Sequence, residues 1–116
     1  MTSPSPRFDA TIVDIDAANT SDPRQDIVAG SSRPREVVYS ERMSECLMRL
    51  YPAASEALQI AARAQHICRW QIPRDEYPLG RAGYNSWRSA CRLHHAMLTS
   101  AIMRRHGHGE GEIAQV

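Results

Sequence analysis

The sequence predicts an all-α fold: a small helical domain of four main helices with an incomplete fifth at the carboxyl end. Three observations carry that prediction. Apolar residues recur at spacings of three and four through most of the chain. Proline and glycine cluster between those stretches and punctuate them. Aromatic residues make up only 6% of the sequence and the apolar content leans on alanine, which suits close helix contacts better than a core of large rings. At 116 residues there is room for one domain, expected over residues 1–106, and none for a second core.

Ser5-Pro6 opens the first helix, because serine can cap and proline at the first helical position gives up an amide that would be unpaired anyway. Phe8, Ile12 and Ile15 follow at helical spacing, and the helix is expected to end near Asn19. Residues 20–33 contain Asp22-Pro23, Gly30, Ser31 and Ser32 and read as an exposed, mobile loop. Pro34 starts a second helix to about Leu50, with Tyr39, Met43, Cys46 and Leu50 along one face.

Pro52 starts a third helix that runs to about Trp70, carrying Ala57, Ile60, Ala61, Ala64, Ile67 and Cys68 on one stripe. Residues 71–80 hold Pro73, Pro78 and Gly80 and form a loop across the end of the bundle. The fourth helix, about Arg81 to His106, puts Tyr84, Trp87, Cys91, His94, Leu98 and Ile102 on its core stripe. Gly107 is placed to end it in a left-handed cap. Residues 107–116 read as a flexible tail or the first turn of a truncated helix, loosened by Gly109 and Gly111.

No run approaches the roughly 18 apolar residues of a membrane span. The start Met1-Thr2-Ser3-Pro4 lacks a secretory pattern, so a cytoplasmic location away from membranes is expected. Cys46, Cys68 and Cys91 are odd in number and lie in helical stretches, as free structural thiols do.

The net charge of +1 hides a division. Residues 1–59 hold six arginines against nine acids, residues 60–105 eight arginines against two, and residues 106–116 two acids and no arginine. The basic segment points to an anionic partner. Nucleic acid is the weaker choice, because a pI of about 7.8 is low for such a binder and no recognition motif is present. No glycine-rich phosphate loop, serine triad or dinucleotide fingerprint occurs.

Tyr39-Ser40-Glu41-Arg42-Met43, the run Ala61 to Arg74, Tyr77-Pro78-Leu79-Gly80-Arg81-Ala82-Gly83-Tyr84, Trp87-Arg88 and His95-Ala96 resemble successive signature segments of the family called domain of unknown function 4202. Phe8-Asp9-Ala10 and Asp16-Ala17-Ala18-Asn19 resemble its opening helix. The resemblance covers nearly the whole chain and implies a helical fold and a set of candidate residues, not a reaction. It also implies further helices and an acidic segment past residue 116, so the chain reads as a short or truncated member.

The family's layout is in turn similar to the HD superfamily of metal-dependent phosphohydrolases. That likeness implies a divalent metal held by His66 and His95 and a hydrolytic activity, with the identity of any cofactor open. Ile67 stands where the dyad aspartate belongs, and Tyr39 near the place of the first histidine.

From the residues themselves, His66 between Arg63 and Arg69 makes a cationic patch suited to phosphate or carboxylate, and its imidazole is suited to proton transfer. The bland alternative is a histidine packed on Trp70 and paired with Glu41 or a carbonyl. Glu41 is the candidate base or orienter beside His66, and Glu45 lies one turn on. His94 is expected to be buried and hydrogen-bonded, whereas His95 lies beyond Arg88 and Arg92 and faces the site. Cys91-x-x-His94 and His106-x-His108 superficially offer four zinc ligands but sit about three turns apart.

The expected ligand site is a groove between helices 52–70 and 81–106. Arg63, Arg69, Trp70, Arg81, Arg88 and His95 would contact a small anionic, phosphorylated ligand there, with His66 and Glu41 as catalytic candidates. The rival from another class is a helical interaction module completed by a second copy or another helical partner.

Overall fold

The computed structural model describes residues 4–116, so the Met1-Thr2-Ser3 start lies outside the described residues. Five α-helices, one two-stranded hairpin and two short 3₁₀ turns follow in the order α1 (Pro6–Thr20), β1 (Gln25–Val28), β2 (Ser31–Pro34), α2 (Arg35–Leu50), α3 (Glu56–Arg63), α4 (Arg81–Arg105) and α5 (Glu110–Gln115). The 3₁₀ turns, Arg69–Gln71 and Arg74–Glu76, lie between α3 and α4. The fold is therefore mostly helical, and the all-α expectation is corrected by the hairpin.

Ser5 caps α1 by accepting the Phe8 amide at 3.1 Å. Its own amide and hydroxyl donate to the two carboxylate oxygens of Glu56, each at 2.9 Å, so the first residues of α1 and α3 are tied together. Phe8 and Ile15 of α1, Ile60 and Ala64 at the end of α3, Ile67 and Cys68 beyond it, Ile102 and Met103 of α4 and Ile113 of α5 close one core. α1 packs against α2, α3 and α4, while α5 bridges α3 and α4.

The segment read as a mobile loop folds as β1 and β2, paired antiparallel from Gln25↔Pro34 to Val28↔Ser31. Ala29 and Gly30 both take positive φ, 50° and 81°, the conformation a two-residue hairpin turn requires. Four-residue strands with so few apolar positions carry no alternation to detect.

The long third helix is also corrected. α3 begins only at Glu56, where Ser55 accepts the Leu58 amide at 3.1 Å, and it stops after Arg63. The chain then turns through residues 64–68, and Cys68 adopts φ 53°, a left-handed conformation that ends any helix. The buried Asn19 side chain holds that turn, its Oδ1 accepting the Cys68 amide at 3.0 Å.

On α2 the buried residues are Glu36, Val37, Val38 and Ser40 of the first two turns rather than the stripe from Tyr39 to Leu50. Met43, Cys46, Leu47 and Leu50 instead line an open apolar groove with Leu58 and Ala61 of α3. In the first half of α4, Cys91 is buried as expected but Tyr84 and Trp87 are not. Tyr84 is 43% exposed and Trp87 half-buried, whereas Thr99, Ile102 and Met103 are buried.

Within residues 107–116, Glu110–Gln115 form the short helix α5, and Ile113 joins the core. Gly107 takes φ 85° and the His108 amide returns to the Met103 carbonyl at 3.1 Å, a glycine-based helix stop. The two histidines that suggested zinc are clasps onto α1. His106 Nε2 lies 2.5 Å from Asp14 Oδ2, and the buried His108 ring sits between the Thr11 hydroxyl and the Glu112 carboxylate.

Candidate functional site

Because α3 stops at Arg63, His66, Arg69 and Trp70 are carried on a turn and a 3₁₀ segment, not on one helical face. Their orientation is set from outside. The His66 ring stacks on Tyr39 of α2, with centroids 3.9 Å apart and planes 9° from parallel. Arg69 Nη1 lies 2.7 Å from His66 Nε2 and 3.3 Å from its Nδ1, and Nδ1 faces Glu36 Oε1 at 3.6 Å.

Glu36 is only 3% exposed and is itself anchored. Arg24 Nη2 donates to its Oε2 at 3.1 Å, and Arg24 Nε donates to Asp22 Oδ1 at 3.0 Å. Asp22 Oδ2 accepts the Glu36 amide at 3.0 Å and so caps α2 from a distant part of the chain. Burial alone would raise the Asp22 carboxyl. Hydrogen bonds from the Arg24 side chain and amide and from the Glu36 amide outweigh burial and hold it below its ordinary value.

Along α4, Arg88, Arg92 and His95 recur on one face and meet His66 and Arg69 across a groove of about 300 Å³, floored in part by Cys91. No carboxylate lines it. Arg92 Nη2 donates to Ser89 Oγ at 3.3 Å and the Arg88 guanidinium lies 5.9 Å from the Tyr84 ring centre, so neither cation is neutralised there.

His95 Nδ1 donates to the Ile67 carbonyl at 2.8 Å, which leaves Nε2 as an acceptor. Burial lowers the His95 imidazole below its usual range, against the carbonyl bond and with His66, His94 and Arg69 adding to the effect. Burial raises the Cys91 thiol above its ordinary value, outweighing Arg69 and Arg88, which disfavours its thiolate. Tyr39 is raised by burial against Arg69 and stays a phenol, donating to Gln65 Oε1 at 3.2 Å.

His66, Arg69, Arg88 and His95 thus line one groove, and Trp70 lines the hollow beside it. Three expected residues lie elsewhere. Arg63 makes a two-pronged bond to Asp16, both contacts 2.8 Å, and braces α3 on α1. Arg81 is exposed at the start of α4 and lines neither cavity. Glu41 is held by Arg33 of β2 at 2.9 and 2.7 Å, and the carboxylate beside His66 is Glu36 instead.

Glu36 was missed because it looks like an ordinary acid in a first helical turn. Its partner follows 30 residues later in the chain. Arg92 had a usable signal, since positions 88, 92 and 95 share one helical face.

The donor set is too small for a metal centre: Arg69 occupies His66 Nε2, and His66 and His95 have no third ligand beside them among the described residues. Among the described residues no three His, Cys, Asp or Glu side chains converge as ligands. Nor is any described helix long and apolar enough to cross a membrane.

No curated protein and no solved structure matches the chain. A family match spans residues 9–116, which include both walls of the groove. By that match the chain belongs to the family described as Domain of unknown function (DUF4202).

Proposed function

We propose that the protein binds a small phosphorylated anion in the groove between the His66–Arg69 turn and α4. The observation that carries this reading is a lining that combines the guanidinium groups of Arg69, Arg88 and Arg92 with two imidazoles and no carboxylate. A dianion placed there would receive charge-assisted bonds from planar donors, the arrangement that suits phosphate. Arg69 is the pivotal group because its present partner is an imidazole, which a phosphate dianion would outcompete as acceptor.

Binding is favoured over HD-like, metal-dependent hydrolysis. His66 lacks the neighbouring aspartate, and Glu41 is engaged with Arg33 rather than available as a base. Calorimetry with inorganic phosphate and a panel of sugar phosphates tests the reading. Arg69→Ala is expected to weaken binding about 10- to 100-fold, the loss of one or two charged hydrogen bonds. Arg81→Ala, outside the groove, should bind as the parent does. If no phosphorylated compound binds the parent protein, the reading fails.

The open apolar groove between α2 and α3 favours a second reading, pairing with another copy of the chain. Leu50 and Tyr51 at its edge are 63% and 62% exposed. A melting temperature that rises with protein concentration would support it, and a concentration-independent one would remove it.

A further inference from the structure

Beside the cationic groove lies a second, larger hollow of about 590 Å³, within the size range of small-molecule sites. The two cavities share His66 and Arg69 as a common wall. Their chemistry differs. The groove is cationic, whereas the hollow has a flat apolar side made by Trp70, Ile72, Pro73 and Trp87.

Both tryptophans of the chain stand in this wall, half-buried. A helical core this poor in aromatic residues would gain most by burying its indoles, yet Trp87 is held at the surface of the hollow. Its Nε1 donates to the Ile72 carbonyl at 2.7 Å, which fixes the plane of the ring. The Arg69 guanidinium lies over the same ring at 4.8 Å from its centre. Arg69 therefore touches the aromatic wall of one cavity and the histidine of the other.

The remaining lining is polar in both senses. Asp26 is paired with Arg35, Glu36 with Arg24, and Arg74 donates to the Tyr77 and Pro78 carbonyls, so the polar rim of the hollow is a set of paired charges. A purely hydrocarbon ligand would cover these charges without adding a bond to them. A flat ring bearing donors and acceptors on its edge can hydrogen-bond to that rim while stacking on indole.

We propose that this hollow seats the heteroaromatic ring of the same ligand whose phosphate lies in the groove, which makes the ligand a nucleoside monophosphate or a molecule of that shape. The proposal rests on the anion reading of the groove and adds the ring subsite. Arg69 is the seam, releasing His66 to meet the phosphate while keeping one face toward Trp87.

The test uses the full chain and titrates inorganic phosphate, ribose 5-phosphate, adenosine and the four ribonucleoside monophosphates, read by calorimetry and by tryptophan emission. Since the only two tryptophans line the hollow, emission reports that cavity directly. At least one monophosphate is expected to bind about tenfold or more tighter than ribose 5-phosphate and to quench emission saturably.

Trp87→Phe and Trp70→Phe should each reduce that preference, the monophosphate losing more affinity than ribose 5-phosphate; an equal loss for both ligands overturns the ring subsite. Equal affinity for ribose 5-phosphate and every monophosphate, with emission unmoved, overturns the ring subsite and leaves anion binding standing. Quenching by adenosine with no binding of ribose 5-phosphate overturns the joint ligand from the other side. If no probe binds, both readings fall.

Discussion

Gly83→Ala is expected to lower the stability of the chain by about 3 kcal/mol, the upper end for overpacking, and its melting midpoint by more than ten degrees or so. A Cβ at position 83 would lie 1.7 Å from the Pro78 carbonyl oxygen and 2.5 Å from its carbon. Those are backbone atoms that no rotamer change can remove, so either residues 72–78 or the start of α4 must shift. The same segment forms part of the wall of the hollow, through Ile72, Pro73 and the Trp87 bond to the Ile72 carbonyl.

Loss of stability should therefore be accompanied by altered tryptophan emission even below the transition. Gly109→Ala is the control, because a Cβ there meets nothing within 4 Å. Circular dichroism melts of the two variants measure the contrast. Equal midpoints would show that the 72–78 segment does not pack on α4 as described.

The second large effect is expected from Asp22→Ala, about 2–3 kcal/mol, the range for losing a buried carboxylate acceptor of charge-assisted hydrogen bonds. The Asp22 side chain is fully buried. Its removal leaves Glu36 as the remaining carboxylate partner of Arg24 and leaves the Glu36 amide at the start of α2 without its acceptor. Urea unfolding of parent and variant gives the difference.

Its pH dependence has a definite sign. The folded carboxyl lies below its ordinary value of 3.8, so its stabilisation is complete above that value. It is lost as the pH falls through the lower folded value, where folded and unfolded chains alike are protonated. The gap between parent and variant should be constant from neutral pH down to about pH 5 and should shrink below about pH 4. A gap that stays constant at low pH would mean that Asp22 does not act as a carboxylate.

Much of the helical framework was legible in the sequence. Ser5-Pro6 and Pro34 mark the starts of α1 and α2, Gly80 precedes α4, and Gly107 ends it. Phe8 and Ile15, and Ile60, Ala64 and Ile67, are buried as their spacing predicts. These features depend on groups within about one helical turn of each other, where caps, fixed proline φ and apolar period act. His66, Arg69, Arg88 and His95 were singled out from the sequence, but the first two were placed on a long helix, and only the structure puts them on a turn facing α4.

What only the tertiary structure decided is how the chain leaves α3. Ala61 to His66 has no residue that forbids a helix, and alanine favours one. The break follows because Asn19, from α1, takes the Cys68 amide and holds a left-handed turn that local preference opposes. Past that break His66 faces Glu36 and stacks on Tyr39, while Arg63, the last residue of α3, pairs with Asp16. Glu41, expected beside His66, is drawn away by an arginine on a hairpin that composition alone reads as loop.

Helix caps and stripes are written in neighbouring residues. The choice among several acids and arginines for each partner depends on which elements the core brings together, and that information is spread over the whole chain.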